Sequence, residues 1–314
     1  MPDNPLKKPD ISVTIAGIPF KNPVIAASGT FGYGREYAGL LDVSALGGIC
    51  TKGLTLEPRA GNNGVRLHET PSGLMNSIGL ENPGIPAFIE KELPHLQELQ
   101  QQGVVIIANL SGSSVKEYAE GARLLDMCGV DMVELNISCP NVPSGGIAFG
   151  RDPEAALSVA RPVRKALHKP LIVKLSPNAS DIAAVASACV AGGADALSLV
   201  NTFKAMAINI EKRTPVFDHG SAGLSGPAIH PLALRMVWEL VRALAAQSTA
   251  VPVIGLGGIS RAEDAIEFLA AGAKAVQVGT ATFTNPTAML EIIDGIAAYM
   301  KKKEIFRIED LSIQ

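Results

Sequence analysis

Short runs of Val, Ile, Leu and Ala, almost unbroken by polar residues, recur along the chain at 23–28, 47–53, 104–110, 132–138, 170–176, 196–202, 252–258 and 275–281. Segments of four to eight residues that are apolar throughout read as strands buried on both faces, the habit of parallel sheets. Stretches rich in Ala with helical periodicity lie between them, for example 181–191 and 261–271, and they suit crossover helices. Eight strand-helix units predict an α/β fold closed into a (β/α)₈ TIM barrel, whose active site forms at the C-terminal ends of the strands. An open doubly wound sheet is the competing arrangement, but no GxGxxG fingerprint follows the first strand.

Two departures from a plain barrel are visible. Residues 11–20 alternate in polarity around Ala16-Gly17 and predict a small N-terminal hairpin closing the barrel's bottom. The connections 54–88 and 203–230 are far longer than a crossover requires, and long loops at strand C-termini are usually functional. With no internal linker or low-complexity segment, residues 1–314 are expected to form one domain, with 1–10 flexible.

Composition narrows the class further. Aromatics are 4% of the chain against 47% hydrophobic residues, so the core has to be aliphatic, as in parallel α/β proteins. The 27 basic and 30 acidic residues are interspersed, which leaves no basic stripe for nucleic acid. The first ten residues carry two lysines and three prolines without an apolar run, and no stretch has membrane-spanning length; a soluble cytoplasmic protein is expected. Cysteines at 50, 128, 139 and 189 form no CxxC pair or zinc spacing, so disulfides, zinc and an iron-sulfur cluster within this chain are not expected. Lys301, Lys302 and Lys303 read as a solvated helix end.

The strand ends carry the chemistry. Lys52 closes the second run, Asn109 the third, Asn136 the fourth, Lys174 the fifth and Asn201-Thr202 the sixth. A lysine in a barrel mouth is costly unless paired, and the alternative is that Lys52 and Lys174 point outwards to solvent. Gly255-Leu256-Gly257-Gly258 and Gly279-Thr280-Ala281 end the last two runs. Glycines there let backbone N–H groups approach a phosphate, the group that barrels often hold after strands seven and eight. Asparagine both donates and accepts, so Asn76, Asn136 and Asn201 could meet the edge of a pyrimidine; each could equally cap a turn.

Cys139 lies in Asn136-Ile137-Ser138-Cys139-Pro140-Asn141, just beyond an apolar run and before a glycine- and proline-rich loop. A lone cysteine is often a small buried hydrophobe. Its polar neighbours favour a reactive thiol instead, because the thiolate is the form that takes protons or attacks carbon. Residues 139–150 are expected to act as a lid, with Gly145, Gly146 and Gly150 supplying freedom and Pro140 and Pro143 limiting it.

These motifs together resemble the dihydroorotate dehydrogenase family. The resemblance is carried in order by residues 27–34, Thr51-Lys52-Gly53, residues 76–84, the Cys139 hexapeptide, Val200-Asn201-Thr202 and the two glycine motifs. Thr30-Phe31-Gly32 and Asn82-Pro83-Gly84 are most similar to the class 1B catalytic subunit. The resemblance implies oxidation of dihydroorotate to orotate in pyrimidine biosynthesis, with FMN bound in the barrel. It implies Cys139 as the base that removes the C5 proton while the C6 hydride passes to the flavin. Lys52, Asn76, Ser77, Ile78, Gly79, Leu80, Asn136, Asn201 and Thr202 would hold the substrate. Ser28, Lys52, Gly53, Asn109, Asn136, Lys174, Val200, Gly226, Gly257, Gly258, Gly279 and Thr280 would hold FMN.

Class 1B enzymes pass electrons to NAD through a partner subunit bearing FAD and an iron-sulfur cluster, and the resemblance implies a heterotetramer built on a homodimer of this chain. No metal, nucleic acid or membrane is expected as a partner. Competing readings are a class 1A enzyme that reduces fumarate and the pyrimidine-reducing subunit of dihydropyrimidine dehydrogenase. From other classes come a lyase forming a Schiff base on a sugar phosphate through Lys174 and a flavin-binding barrel without turnover.

Overall fold

The computed structural model describes residues 9–138 and 149–313. All eight apolar runs become barrel strands: β1 (Val24–Ala26), β2 (Gly48–Cys50), β3 (Val105–Leu110), β4 (Met132–Asn136), β5 (Leu171–Lys174), β6 (Ala196–Leu199), β7 (Val253–Leu256) and β8 (Ala275–Val278). They pair in parallel in sequence order, and β8 returns to β1 to close the barrel. Most strands are shorter than their apolar runs, and at several of them, among them Lys52-Gly53, residues 200–202, Gly257-Gly258 and Gly279-Thr280, the residues beyond the ladder line the barrel's mouth. The hairpin is also present: Val13–Ile15 pairs antiparallel with Ile18–Phe20. Ala16 and Gly17 both take positive φ, 49° and 82°, as a two-residue turn of the hairpin-favouring hand requires. Phe20 is buried against Gly48 at the start of β2, which sets the hairpin at the barrel's N-terminal end.

Helices form where caps and periodicity agree. Ser114 caps Val115–Asp126 by accepting the Glu117 N–H, Asp152 caps Pro153–Ala166, and Asp181 caps Ile182–Ala191. The connection from β1 to β2 departs from expectation. It holds only the short 3₁₀ turns Arg35–Tyr37 and Val43–Ala45, because Gly29, Gly32 and Gly34 sit at positive φ and break any longer helix. Lys301 and Lys302 end the helix Ala288–Lys302 and are exposed, as anticipated.

The two long connections pair with each other. Leu67–Thr70 and Gly73–Asn76 from the first meet Phe203–Ala205 and Ala222–Ser225 from the second in one four-stranded antiparallel sheet. Gly223 stands opposite Asn76 and Ser225 opposite Leu74. Met75, Phe217 and Ala222 form a small core of their own under this sheet. Asn82 fastens the first connection from inside: its Oδ1 accepts from the N–H of Thr55 and of Gly84, and its Nδ2 donates to Thr55 Oγ1 at 2.8 Å.

A closed barrel fills with layers of four side chains from alternate strands, commonly branched and apolar. Here one layer is Cys50 of β2, Glu134 of β4, Ser198 of β6 and Gln277 of β8, each at most 1% exposed. The barrel is therefore polar at the level just beneath its mouth.

Candidate active site

A cavity of about 650 Å³ opens at the C-terminal ends of the strands, within the range of small-molecule sites. Its first end is built from amides. Asn201 Nδ2 donates to Ser138 Oγ at 2.7 Å and to Asn136 Oδ1 at 3.3 Å, and Ser138 Oγ donates to Asn136 Oδ1 at 3.1 Å. The Tyr118 hydroxyl fixes the backbone below by donating to the Asn136 carbonyl at 2.8 Å. Asn76 enters from the capping sheet, with its Nδ2 donating to the Gly223 carbonyl at 3.3 Å. Ile78, Gly79 and Leu80 complete this wall together with Lys52 and Thr202. Gly79 has φ 75°, and a Cβ there would stand 2.3 Å from Asn62 Oδ1, so the loop closes this tightly only with glycine.

The floor is charged. Lys174, 4% exposed, reaches the cavity with Gln277, and its ammonium lies 3.3 Å from Glu134 Oε1. Neither solvent nor the outside of the barrel receives this lysine. Glu134 accepts from Asn109 Nδ2 at 2.7 Å, Cys50 Sγ at 3.2 Å, Ser198 Oγ at 2.8 Å and Gln277 Nε2 at 2.7 Å. Burial alone pushes its carboxyl up, but the Lys174 charge and the bonds from Gln277, Ser198 and Cys50 outweigh that and hold it below the usual carboxylate range. Burial, and after it the Glu134 charge, push the Cys50 thiol well above the ordinary range, so Cys50 is a donor and not a nucleophile.

The far end is backbone. Gly257 and Gly258 have φ 130° and 72°. A Cβ on Gly258 would lie 2.7 Å from the His230 backbone nitrogen, and one on Gly257 2.6 Å from Ala233 Cβ. Gly279, Thr280, Gly226 and Ser28 line the same end, and Thr280 Oγ1 donates to Ser225 Oγ at 2.8 Å, tying β8 to the capping sheet. Gly53 and Val200 complete the walls between the two ends.

Most of the sequence-derived site therefore converges, and two of its residues stand behind the wall. Ser77, 2% exposed, accepts from Asn62 Nδ2 at 3.0 Å. Asn109, fully buried, bridges Glu134 and Asn136. Neither is among the cavity-lining residues; both position others. Cys139 and residues 140–148 of the expected lid lie outside the described residues. Gly150, at the end of that segment, is buried, and a Cβ on it would stand 2.4 Å from the Ile137 carbonyl oxygen. Sequence reasoning missed Glu134, Ser198 and Gln277. The available signal was a polar residue in the middle of an otherwise apolar run.

Comparison with known proteins follows the same line. Residues 10–300 match the family model described as "Dihydroorotate dehydrogenase". The chain belongs to the dihydroorotate dehydrogenase family. A Petrotoga mobilis protein named "Dihydroorotate dehydrogenase B (NAD(+)), catalytic subunit" is 57% identical over 96% of this chain and 98% of its own length. Proteins of the same name from Thermoanaerobacter pseudethanolicus and Geotalea uraniireducens are 51% and 52% identical, covering 96% and 97% of this chain and 97% of each relative. The structure of the dihydroorotate dehydrogenase from Eimeria tenella, in complex with ferulenol, superposes with a TM-score of 0.79 at 20% identity, over 98% of this chain and 89% of that one. That likeness confirms the barrel fold. Among the described residues no helix is long and apolar enough to cross a membrane.

The cavity also fits the flavin that a dihydroorotate dehydrogenase implies. One end is glycine backbone packed so closely on His230 and Ala233 that a Cβ would collide with them, the kind of loop whose N–H groups a phosphate needs. The floor carries a buried cation beside a glutamine amide, a donor set suited to the polar edge of an isoalloxazine ring.

Proposed function

We propose that this chain is the catalytic subunit of an NAD-linked dihydroorotate dehydrogenase, oxidising dihydroorotate to orotate with FMN in pyrimidine biosynthesis. The observation that carries the reading is the division of one cavity into an amide end, a lysine floor and a glycine end. Gly257, Gly258, Gly279 and Thr280 would receive the phosphate of FMN, with Ser28, Gly53, Val200 and Gly226 along the walls. Lys174 and Gln277 would meet the flavin's pyrimidine edge. Asn76, Asn136, Asn201 and Thr202 would bind the substrate ring, Lys52 its carboxylate, and Ile78 to Leu80 would close over it. When bound, FMN supplies the acceptor for the hydride that leaves C6 of the substrate.

Cys139 would take the C5 proton. Its sequence neighbour Ser138 is hydrogen-bonded to Asn136 and Asn201, the amides proposed to bind the substrate, which supports this role. The names of the relatives support a partner subunit and NAD as final acceptor. We place FAD and the iron-sulfur cluster in that partner, in a cytoplasmic heterotetramer built on a homodimer of this chain. A Schiff-base role for Lys174 gains nothing from the geometry, since its ammonium is engaged by Glu134 and Gln277.

The test is an absorption spectrum of the purified chain before and after anaerobic dihydroorotate. A flavin spectrum that bleaches is the expected result, and a colourless protein or an unbleached flavin would overturn the reading. With the chain alone, an artificial dye should be reduced while NAD is not; fumarate turnover would move the protein to class 1A.

A further inference from the structure

Glu134 lies on the barrel axis, where donors from five different strands reach it: Cys50 from β2, Asn109 from β3, Lys174 from β5, Ser198 from β6 and Gln277 from β8. All five partners donate, which is the set an ionised carboxylate accepts. An acidic residue on a barrel axis is unfavourable unless its charge is used or paired, since branched apolar side chains fill that space at no electrostatic cost. Of the donors, Lys174 and Gln277 also face the cavity, while Glu134 itself does not line it. The carboxylate can therefore reach a ligand only through those two side chains and through its field.

We infer that Glu134 is a positioning residue that holds the Lys174 ammonium at the cavity floor and offsets its charge, so that bound flavin meets a paired cation and keeps a lower reduction potential than a lone lysine would give it. This rests on the flavin reading above. Reduction places negative charge near the flavin's pyrimidine edge, and an unpaired ammonium in a low-dielectric site would stabilise that charge strongly. A carboxylate on the far side of the ammonium weakens the field the flavin experiences. Oε1 accepts from Asn109 and Lys174 while Oε2 accepts from Ser198 and Gln277, so rotation of the carboxylate is blocked and the offset is fixed.

The experiment compares flavin midpoint potentials of the holoenzyme and of Glu134→Gln, Glu134→Asp and Ser198→Ala, by anaerobic spectroelectrochemical titration. Glu134→Gln keeps the shape and removes the charge. It should stabilise reduced over oxidised flavin about tenfold or more, a rise of about 30 mV for a two-electron couple. Glu134→Asp keeps the charge but draws it away from the ammonium, and should move the potential the same way by less; it decides the question if the glutamine variant does not fold or hold flavin. Ser198→Ala disturbs the same network with the charge intact and should leave the potential unchanged. An unchanged or lowered potential in the Glu134 variants overturns the inference, as does an equal rise in Ser198→Ala. A readout independent of flavin is the infrared S–H stretch of Cys50, assigned by its loss in Cys50→Ala. It should move to higher frequency in Glu134→Gln, whose side chain is a weaker acceptor than a carboxylate, and an unmoved band would overturn the proposed network. A wild-type protein without flavin would instead overturn the functional reading, leaving the thiol band as the test of the network.

Discussion

At the amide end of the cavity Asn136, Ser138 and Asn201 hold one another through side-chain hydrogen bonds of 2.7 to 3.3 Å, whereas at the glycine end Gly257 and Gly258 present bare backbone against Ala233 and His230. On the proposed reading, the first end would bind a ligand through groups that can be exchanged one at a time. The second would bind it through backbone packed so closely on its neighbours that an added side chain would force that backbone to shift. Substitutions at the amide end should therefore change recognition and rate with the cofactor retained, and substitutions at the glycine end should expel the cofactor.

The sharpest way to break this division is Cys139→Ala. It should keep FMN and slow flavin reduction by dihydroorotate about 10² to 10⁴-fold, the usual contribution of a positioned base; reduction at the wild-type rate in a stopped-flow experiment would remove Cys139 from the mechanism. Next comes Gly258→Ala. With φ 72° and a Cβ only 2.7 Å from the His230 backbone nitrogen, it should raise the FMN dissociation constant about 10- to 100-fold, measured by fluorescence quenching on reconstitution. Asn201→Ala should raise KM for dihydroorotate about tenfold while FMN affinity stays at the wild-type value, because one hydrogen bond to a ligand is worth about 1 kcal/mol and its loss also frees Ser138 and Asn136. Equal losses of FMN affinity in Gly258→Ala and Asn201→Ala would abolish the distinction between the ends.

The smallest effect concerns the support behind the glycine end. Asp264 accepts from the N–H groups of Ser260 and Arg261 at the start of Ala262–Ala270. Burial pushes its carboxyl up, but the Ser260 and Arg261 bonds prevail and hold it below the usual range. A carboxyl whose pKa is depressed on folding contributes its stability above the unfolded value and loses it as pH falls through the folded one. Asp264→Asn should thus cost about 1 kcal/mol at pH 7, with the difference in thermal stability from wild type shrinking below about pH 4. A difference constant down to acid pH would show that the charge is not what matters there.

Legibility in the sequence followed the range of the interactions involved. Lys52, Asn136, Lys174 and Asn201 were readable as site residues because each ends an apolar run, and a barrel sends all such ends to one mouth. Glu134, Ser198 and Gln277 were not, since a polar residue inside a strand gains a partner only when distant strands meet on the axis: Glu134 and Gln277 are 143 residues apart and bond at 2.7 Å. The capping sheet escaped for the same reason, with Gly223 pairing with Asn76 from the other long connection. Asn109 and Ser77 were legible as polar positions near the site, and only their neighbours' geometry turned them inward as supports.

By itself, then, the order of apolar runs, turns and caps determined eight strands, their parallel closure and the Ala16-Gly17 hairpin, because periodicity and turn chemistry act between near neighbours in the chain. Only the tertiary structure decided which polar groups share a charge beneath the cavity, which glycines are required by a neighbour's backbone, and that two long loops would become one sheet. Those outcomes depend on groups far apart in sequence being brought within bonding distance, where the low dielectric of the interior makes pairing decisive.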